Sequence, residues 1–264
     1  LFEGLAIWNE EKYRQIQGTY PVIFFSLAGV KANNIQDMKA LVEFVITNLY
    51  GMYKEIMKSD KFDESDRESF VAVNEKMEDF KAQTAIHSLC IYLEKYYGKK
   101  VIVLLDEYDT PMQEAWLGDY WDEAVAFFRS FFDNTFKTNS HLYRGIITGI
   151  TRISKESIFS DLNNLDVVTT TSNEYALSFG FTEEEVFQAL EDVGLGKEKE
   201  NVKHWYDGFT FGKCTDIYNP WSITSFIKRK GKYSAYWANT SSNGLINSLI
   251  RTGKVELKKQ WRLL

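Results

Sequence analysis

The sequence predicts an α/β fold: a parallel sheet flanked by helices over residues 1–180, followed by a smaller, mostly helical module over residues 181–264. Three observations predict it. The runs VIFFSL (22–27) and VIVLL (101–105) are apolar without polar alternation, the pattern of strands covered on both faces of a parallel sheet. Between them the apolar residues step by three and four, as helical crossovers do. Near residue 180 this alternation gives way to shorter, turn-rich and aromatic segments.

The elements follow in order. Pro21 introduces the first strand, and Asn34 caps a helix whose apolar residues Ile35, Met38, Leu41, Val42, Val45, Leu49, Met52 and Ile56 share one face. The polar segment KSDKFDESDRESF (58–70) interrupts the pattern. A second helix over 74–97 stops at Gly98, the residue type favoured just beyond a helix end. The strand VIVLLDEYDTP (101–111) then runs into Asp106, Glu107 and Asp109. A Trp- and Phe-rich helix over 120–136 leads to a further strand in YRGIITGITRI (143–153), and LDVVTTT (165–171) is assigned as a fourth. In the second module Thr182 and Glu185 form a capping box, Phe181 can staple onto Val186, and the helix runs to Gly194. WYDGFTFGKCTDIYNPW (205–221) reads as a short hairpin, with a helix after Pro220.

Composition excludes several classes. With 264 residues, 44% of them hydrophobic, the chain can bury a proper core. The longest apolar stretch, YPVIFFSLAGV, falls short of the roughly 18–20 residues that cross a bilayer, so no membrane span or membrane partner is expected. Cys90 and Cys214 are too few and too scattered for a disulfide framework or a zinc site, and read as reduced thiols of a cytoplasmic protein. No signal peptide precedes Leu1, and the N-terminus reads as cut away. The net charge of −6 is uneven: residues 201–264 carry 11 Lys and Arg against three acids, and residues 1–200 carry 20 against 34. A basic C-terminal module can offer a surface to nucleic acid or phosphate. The plainer reading is docking on the acidic module or ordinary solubility.

Acids at the carboxyl end of a central parallel strand stand where such sheets bind ligands. An aliphatic strand ending in Asp-Glu is what a P-loop ATPase needs opposite its phosphate loop. Asp106 would hold Mg2+, directly or through water, and Glu107 would orient the water that attacks the terminal phosphate. The bland alternative is acids that cap the next helix or meet solvent. The second strand end, GIITGITRI, delivers Thr148, Thr151 and Arg152. Arg152 is the candidate to sense the terminal phosphate and stabilise transition-state charge, with Thr151 beside it as a nucleotide contact. A surface ion pair of Arg152 with Asp161 is the alternative. No G-x-x-x-x-G-K-[ST] occurs; GFTFGKCT (208–215) has three residues between its glycines and Cys214 where Ser or Thr belongs, and is a decoy. The phosphate loop is expected ahead of VIFFSL.

Other groups carry less. Glu256 and Lys258 have an E-x-K spacing without an upstream Pro-Asp, and His87, His141 and His204 lie too far apart in sequence for a metal cluster. The aromatic set around Trp205, Tyr206, Phe209, Trp221, Tyr236 and Trp237 either stacks bases or fills a small core.

Six segments in order, GTYPVIFFSLAGVK, VIVLLDEYDTP, YRGIITGITRISKESIFSDLNNL, FGFTEEEV, WYDGFTFG and DIYNPWSI, resemble the bacterial predicted AAA-ATPase family, relatives of signalling-type P-loop ATPases, over nearly the whole chain. The resemblance implies an N-terminal ATPase domain, a helical lid and, commonly, a nuclease-like domain of the PD-(D/E)XK superfamily. By it Asp106 and Glu107 match the Walker B acids, and Arg152 falls in the sensor-like strand-end motif. Asn219, Pro220 and Trp221 lie in a family signature whose plain explanation is packing of the lid. The family's phosphate-loop segment and nuclease-like region are not among these 264 residues. The expectation is an ATPase that hydrolyses ATP with Mg2+ in the intact protein and regulates an attached effector, this chain alone being inactive. The alternative is a degenerate NTPase fold serving as a regulatory or interaction module. Metal-dependent nuclease chemistry at Asp106 and Asp109 ranks last.

Overall fold

Strand β1 (Val22–Ser26) pairs in parallel with β2 (Val101–Asp106), and β2 pairs in parallel with β3 (Leu142–Ile147), so the acidic strand is central in the order β1-β2-β3. The computed structural model describes residues 2–151, 158–159 and 165–237, and the chain divides into one unit over 1–164 and a second over 165–264. A short helix α1 (Glu11–Ile16) buries none of its residues. The crossover from β1 to β2 contains α2 (Ile35–Tyr53), α3 (Glu64–Val71) and α4 (Asp79–Tyr97); that from β2 to β3 contains α5 (Thr110–Leu117) and α6 (Trp121–Phe132).

Asn34 starts α2 by accepting a hydrogen bond from the Asp37 amide, and Gly98 closes α4 in the left-handed conformation at φ +70°, both as the sequence indicates. Helices α2, α4 and α6 form one layer. The Tyr50 hydroxyl donates to the Ala85 carbonyl between α2 and α4, and the Phe25 and Phe131 rings meet edge to face between β1 and α6. Ile23, Phe25, Val101, Val103 and Leu105 are buried on this side of the sheet, together with Phe128, Phe131 and Phe132 of α6. Each such side chain contributes about 1.5–3 kcal/mol by leaving water.

The other side differs from expectation. Phe24, Leu104 and Ile146 are register partners and share a face, yet Phe24 is 57% and Ile146 49% exposed. The strands predicted to be covered on both faces are thus covered on one among the described residues. Two further corrections concern local structure. Residues 165–171 form no strand, because hydroxyls there capture backbone amides: Ser172 accepts from the Thr169 amide and Thr169 from the Thr171 amide. The polar segment after α2 contains α3, which has a single buried residue, Phe70, but is started by a reciprocal capping box between Asp63 and Asp66.

The second unit is more mixed than the mostly helical module expected. Strands β4 (Phe181–Thr182), β5 (Asp207–Phe211) and β6 (Cys214–Tyr218) form an antiparallel sheet ordered β4-β6-β5, alongside α7 (Glu183–Asp192), α8 (Lys199–Tyr206) and α9 (Pro220–Lys228). The capping box of Thr182 with Glu185 is present, and Phe181 packs on the core that contains Val186, Leu190, Tyr218 and Phe226. The decoy GFTFGKCT is the β5-β6 hairpin, turning at Gly212 with φ +54°. Asn219 caps α9 by accepting from the Ser222 amide at 3.0 Å, with Pro220 as the first helical residue. Two members of the Asn219-Pro220-Trp221 signature therefore start a helix. Asn219→Ala is expected to lower stability by about 1 kcal/mol, read from the urea midpoint.

Candidate functional site

Strand β2 ends at Asp106, whose carbonyl accepts from the Leu27 amide on one side, while on the other the Thr148 amide bonds to the Leu105 carbonyl at 2.9 Å. The three strand ends are therefore level. Thr148 also donates its hydroxyl to Asp106 Oδ1 at 2.6 Å, which fixes the carboxylate at the half-buried edge of the sheet. Glu107 follows in the left-handed conformation at φ +50°, unusual for a residue with a long side chain. That twist turns the chain off the sheet immediately after Asp106. The Thr110 hydroxyl donates to Glu107 Oε2 at 3.0 Å and holds the second acid over the first turn of α5.

Beyond Glu107 the chain clamps the segment that follows β3. Asp109 is fully buried, and its Oδ2 accepts from the Thr151 amide at 2.6 Å and from Gln113 Nε2 at 2.8 Å. The same Gln113 amide donates to the Thr151 hydroxyl oxygen at 3.0 Å, and the Tyr108 hydroxyl donates to the Thr151 carbonyl at 2.9 Å. Thr151 is thus held at its N–H, its carbonyl and its side chain by Tyr108, Asp109 and Gln113. Gly149 makes the clamp possible: a Cβ there would stand 2.5 Å from Asp109 Oδ1 and 2.7 Å from the Tyr108 ring. Gly149→Ala is expected to destabilise the first unit by about 1–3 kcal/mol through overpacking, measured by denaturant titration.

The structure brings Asp106, Glu107 and Thr151 to one end of the sheet; Arg152, with Asp161, lies outside the described residues. The Thr151 hydroxyl accepts from Gln113 and keeps its own proton to donate. Carboxylate and hydroxyl oxygens at Asp106 and Thr148 are the donors a hard divalent cation prefers. Asp109, by contrast, faces inward to Thr151 and Gln113, which removes it as a solvent-facing metal ligand beside Asp106. His141 pairs with Glu94, 5.9 Å ring to ring from His87, and among the described residues no group of three or more His, Cys, Asp or Glu could hold a metal ion. The sequence reading missed the clamp and α5. Its signal was present in D-T-P, where Asp109 takes the cap position and Pro111 falls in the first turn.

Among the described residues no helix is long and apolar enough to cross a membrane. Comparison with known proteins adds three findings. The profile of a family described as Predicted AAA-ATPase matches residues 1–159. An uncharacterized protein in the vnfD 5′ region of Azotobacter chroococcum mcd 1 is 27% identical over 155 residues, spanning 58% of this chain and 29% of that protein. No solved structure matches at a significant level.

Proposed function

Because the chain belongs to the predicted AAA-ATPase family, we propose that its first unit is the acid-bearing part of an ATPase that binds ATP with Mg2+ and hydrolyses it in the intact protein. The observation that carries this reading is the placement of Asp106 and Glu107 at the end of the central strand, where Thr148 bonds Asp106 and the clamped segment after β3 begins. Asp106, bonded to Thr148, would hold the cation as the Walker B acid. Glu107 would take a proton from the attacking water, its carboxylate oriented by Thr110. Thr151 would contact the nucleotide, and the clamp would set the position of Arg152 to stabilise charge developing on the terminal phosphate.

The apolar side of the sheet supports the same reading. Phe24, Leu104 and Ile146 form a contiguous row at the described residues' open face, and the strand and helix of a phosphate loop would cover it. The 264 residues contain no G-x-x-x-x-G-K-[ST] element, so by themselves they would bind ATP weakly. The second unit would act as a lid. The intact protein would be cytoplasmic and would couple nucleotide state to an attached effector, a nuclease-like domain being the first candidate. A basic surface within residues 201–264 would then face nucleic acid.

The test is calorimetric titration of Mg-ATP into this chain and into a polypeptide that carries the natural sequence ahead of Leu1. Micromolar binding by the longer protein alone, with Asp106→Ala lowering turnover by at least about a hundredfold, is the expected result. Absence of binding by the longer protein would instead favour a degenerate fold acting as a regulatory module.

A further inference from the structure

Two segments that ATP chemistry leaves unused, WYDGF and NPWS, meet around one cavity of the second unit, of about 310 Å³. Its walls are aromatic: Trp205 and Tyr206 stand at the end of α8, and Tyr236 and Trp237 join them from beyond α9. The frame is fixed, because the Tyr206 hydroxyl is bonded to both the carbonyl and the amide of Ser234 and the Trp221 indole donates to the Tyr236 carbonyl. The indoles of Trp205 and Trp237 remain half exposed. Two polar side chains at the start of α9 line the same cavity, Asn219 at 9% and Ser222 at 5% exposure. Asn219 Oδ1 is taken by the Ser222 amide at 3.0 Å, which fixes the carboxamide and leaves Nδ2 on its far side. Neither Asn219 Nδ2 nor the Ser222 hydroxyl has a hydrogen-bond partner among the described residues, yet neither atom is sealed off. Buried polar groups without partners are costly, which marks a place for a ligand that supplies them.

We propose that this cavity binds a proline-rich polypeptide segment in the polyproline II conformation. The hydrogen-bond inventory selects an acceptor. Asn219 Nδ2 and the Trp205 indole can only donate, and the Ser222 hydroxyl has its proton to give. Asp207, the one carboxylate on the wall, is already engaged by the Gly208 amide and the Asp216 carboxyl. A cation would therefore meet donors, and an anion would meet Asp207. What fits is neutral, apolar and provided with carbonyl oxygens.

A polyproline helix combines these properties. It makes no internal hydrogen bonds, so its carbonyls are open, and proline brings no N–H to compete with the donors of the site. Its pyrrolidine rings dock in grooves lined by Trp and Tyr. A nucleobase would stack as well, but it would turn N–H groups toward these donors and carry phosphate toward Asp207. A volume of about 310 Å³ is at the small end of sites that enclose a whole ligand, and suits part of an extended one. This site is independent of the ATP chemistry of the first unit.

The experiment titrates N-acetyl-hexaproline amide into the 264-residue chain, following indole fluorescence and heat, with a Gly-Ser hexapeptide and a thymidine hexanucleotide run in parallel. Hexaproline is expected to bind at least about tenfold tighter than either. Asn219→Asp keeps the oxygen that caps α9 but replaces the donor Nδ2 with an acceptor, and Ser222→Ala removes the hydroxyl while keeping the capped amide. Each should weaken hexaproline binding about threefold or more, and Trp205→Ala about fivefold or more. Trp205 is half exposed, so its variant should remain folded and the test survives a misfolded Asn219→Asp. No saturable hexaproline binding up to about 1 mM, equal binding of the two peptides, tighter binding of the oligonucleotide, or an unchanged affinity in Trp205→Ala would each overturn the proposal.

Discussion

Glu107→Gln, placed in a polypeptide that carries a phosphate loop ahead of β1, is expected to bind Mg-ATP as the wild type does and to hydrolyse it at least about a hundredfold more slowly. The size of the effect follows from what the change leaves in place. Gln is isosteric with Glu and can still accept the Thr110 hydroxyl, so the side chain keeps its position over α5. The left-handed backbone, φ +50°, is equally unfavourable for both residues, by about 1–2 kcal/mol, so folding stability should be the same. What is lost is the carboxylate's capacity to take a proton. A strained residue kept at a strand end is the pattern of functional sites, where surrounding structure enforces a costly conformation. Glu107→Gly separates the two contributions: it relieves the strain, offset by glycine's greater unfolded-state entropy and loss of the Thr110 bond, and should stay within a few degrees of the wild type in melting temperature while remaining inactive. Wild-type turnover in Glu107→Gln would remove Glu107 from the chemistry and leave the acid as a cap of the α5 turn.

How much of this was legible in the sequence depends on the range of the interaction that decides each feature. Local signals were read correctly: Asn34, Gly98, Thr182 with Glu185, and the hairpin in WYDGFTFGKCTDIYNPW all depend on residues within one turn of each other. The aliphatic run VIVLL ending in Asp106 and Glu107 gave the central strand and the acids together. Two kinds of feature escaped. Helix α3 is held by Asp63, Asp66 and by Arg67, which donates to the carbonyls of Met57 and Ser59, so its amphipathic signal is weak and its stability lies in polar bonds. The clamp on Thr151 joins residues about 40 apart, and no periodicity reports such a contact. Asp109 looked like a third solvent-facing acid because it follows Asp106 and Glu107 within three positions; only its bonds to Thr151 and Gln113 show that it is internal.

That internal carboxylate carries the largest stability effect expected in the first unit. Asp109→Ala removes the acceptor of the Thr151 amide and of Gln113 Nε2, two bonds of 2.6 and 2.8 Å that leave their donors in a partly buried site. Losing charge-assisted bonds and stranding their donors costs about 2–4 kcal/mol together. Asp109→Asn should cost less. Its oxygen can occupy the Oδ2 position and accept both bonds, and its amide then fills the Oδ1 position, where the carboxylate has no partner. The expected stability order is wild type, then Asn, then Ala, read from denaturant midpoints. Hydrogen exchange at the Thr151 amide should accelerate strongly in Ala and modestly in Asn. Because Thr151 directly precedes Arg152 in the chain, loosening this clamp should also lower turnover in the extended protein with Mg-ATP affinity less affected. An Ala variant as stable as the wild type, with unchanged exchange at Thr151, would show that the segment after β3 holds its place without Asp109.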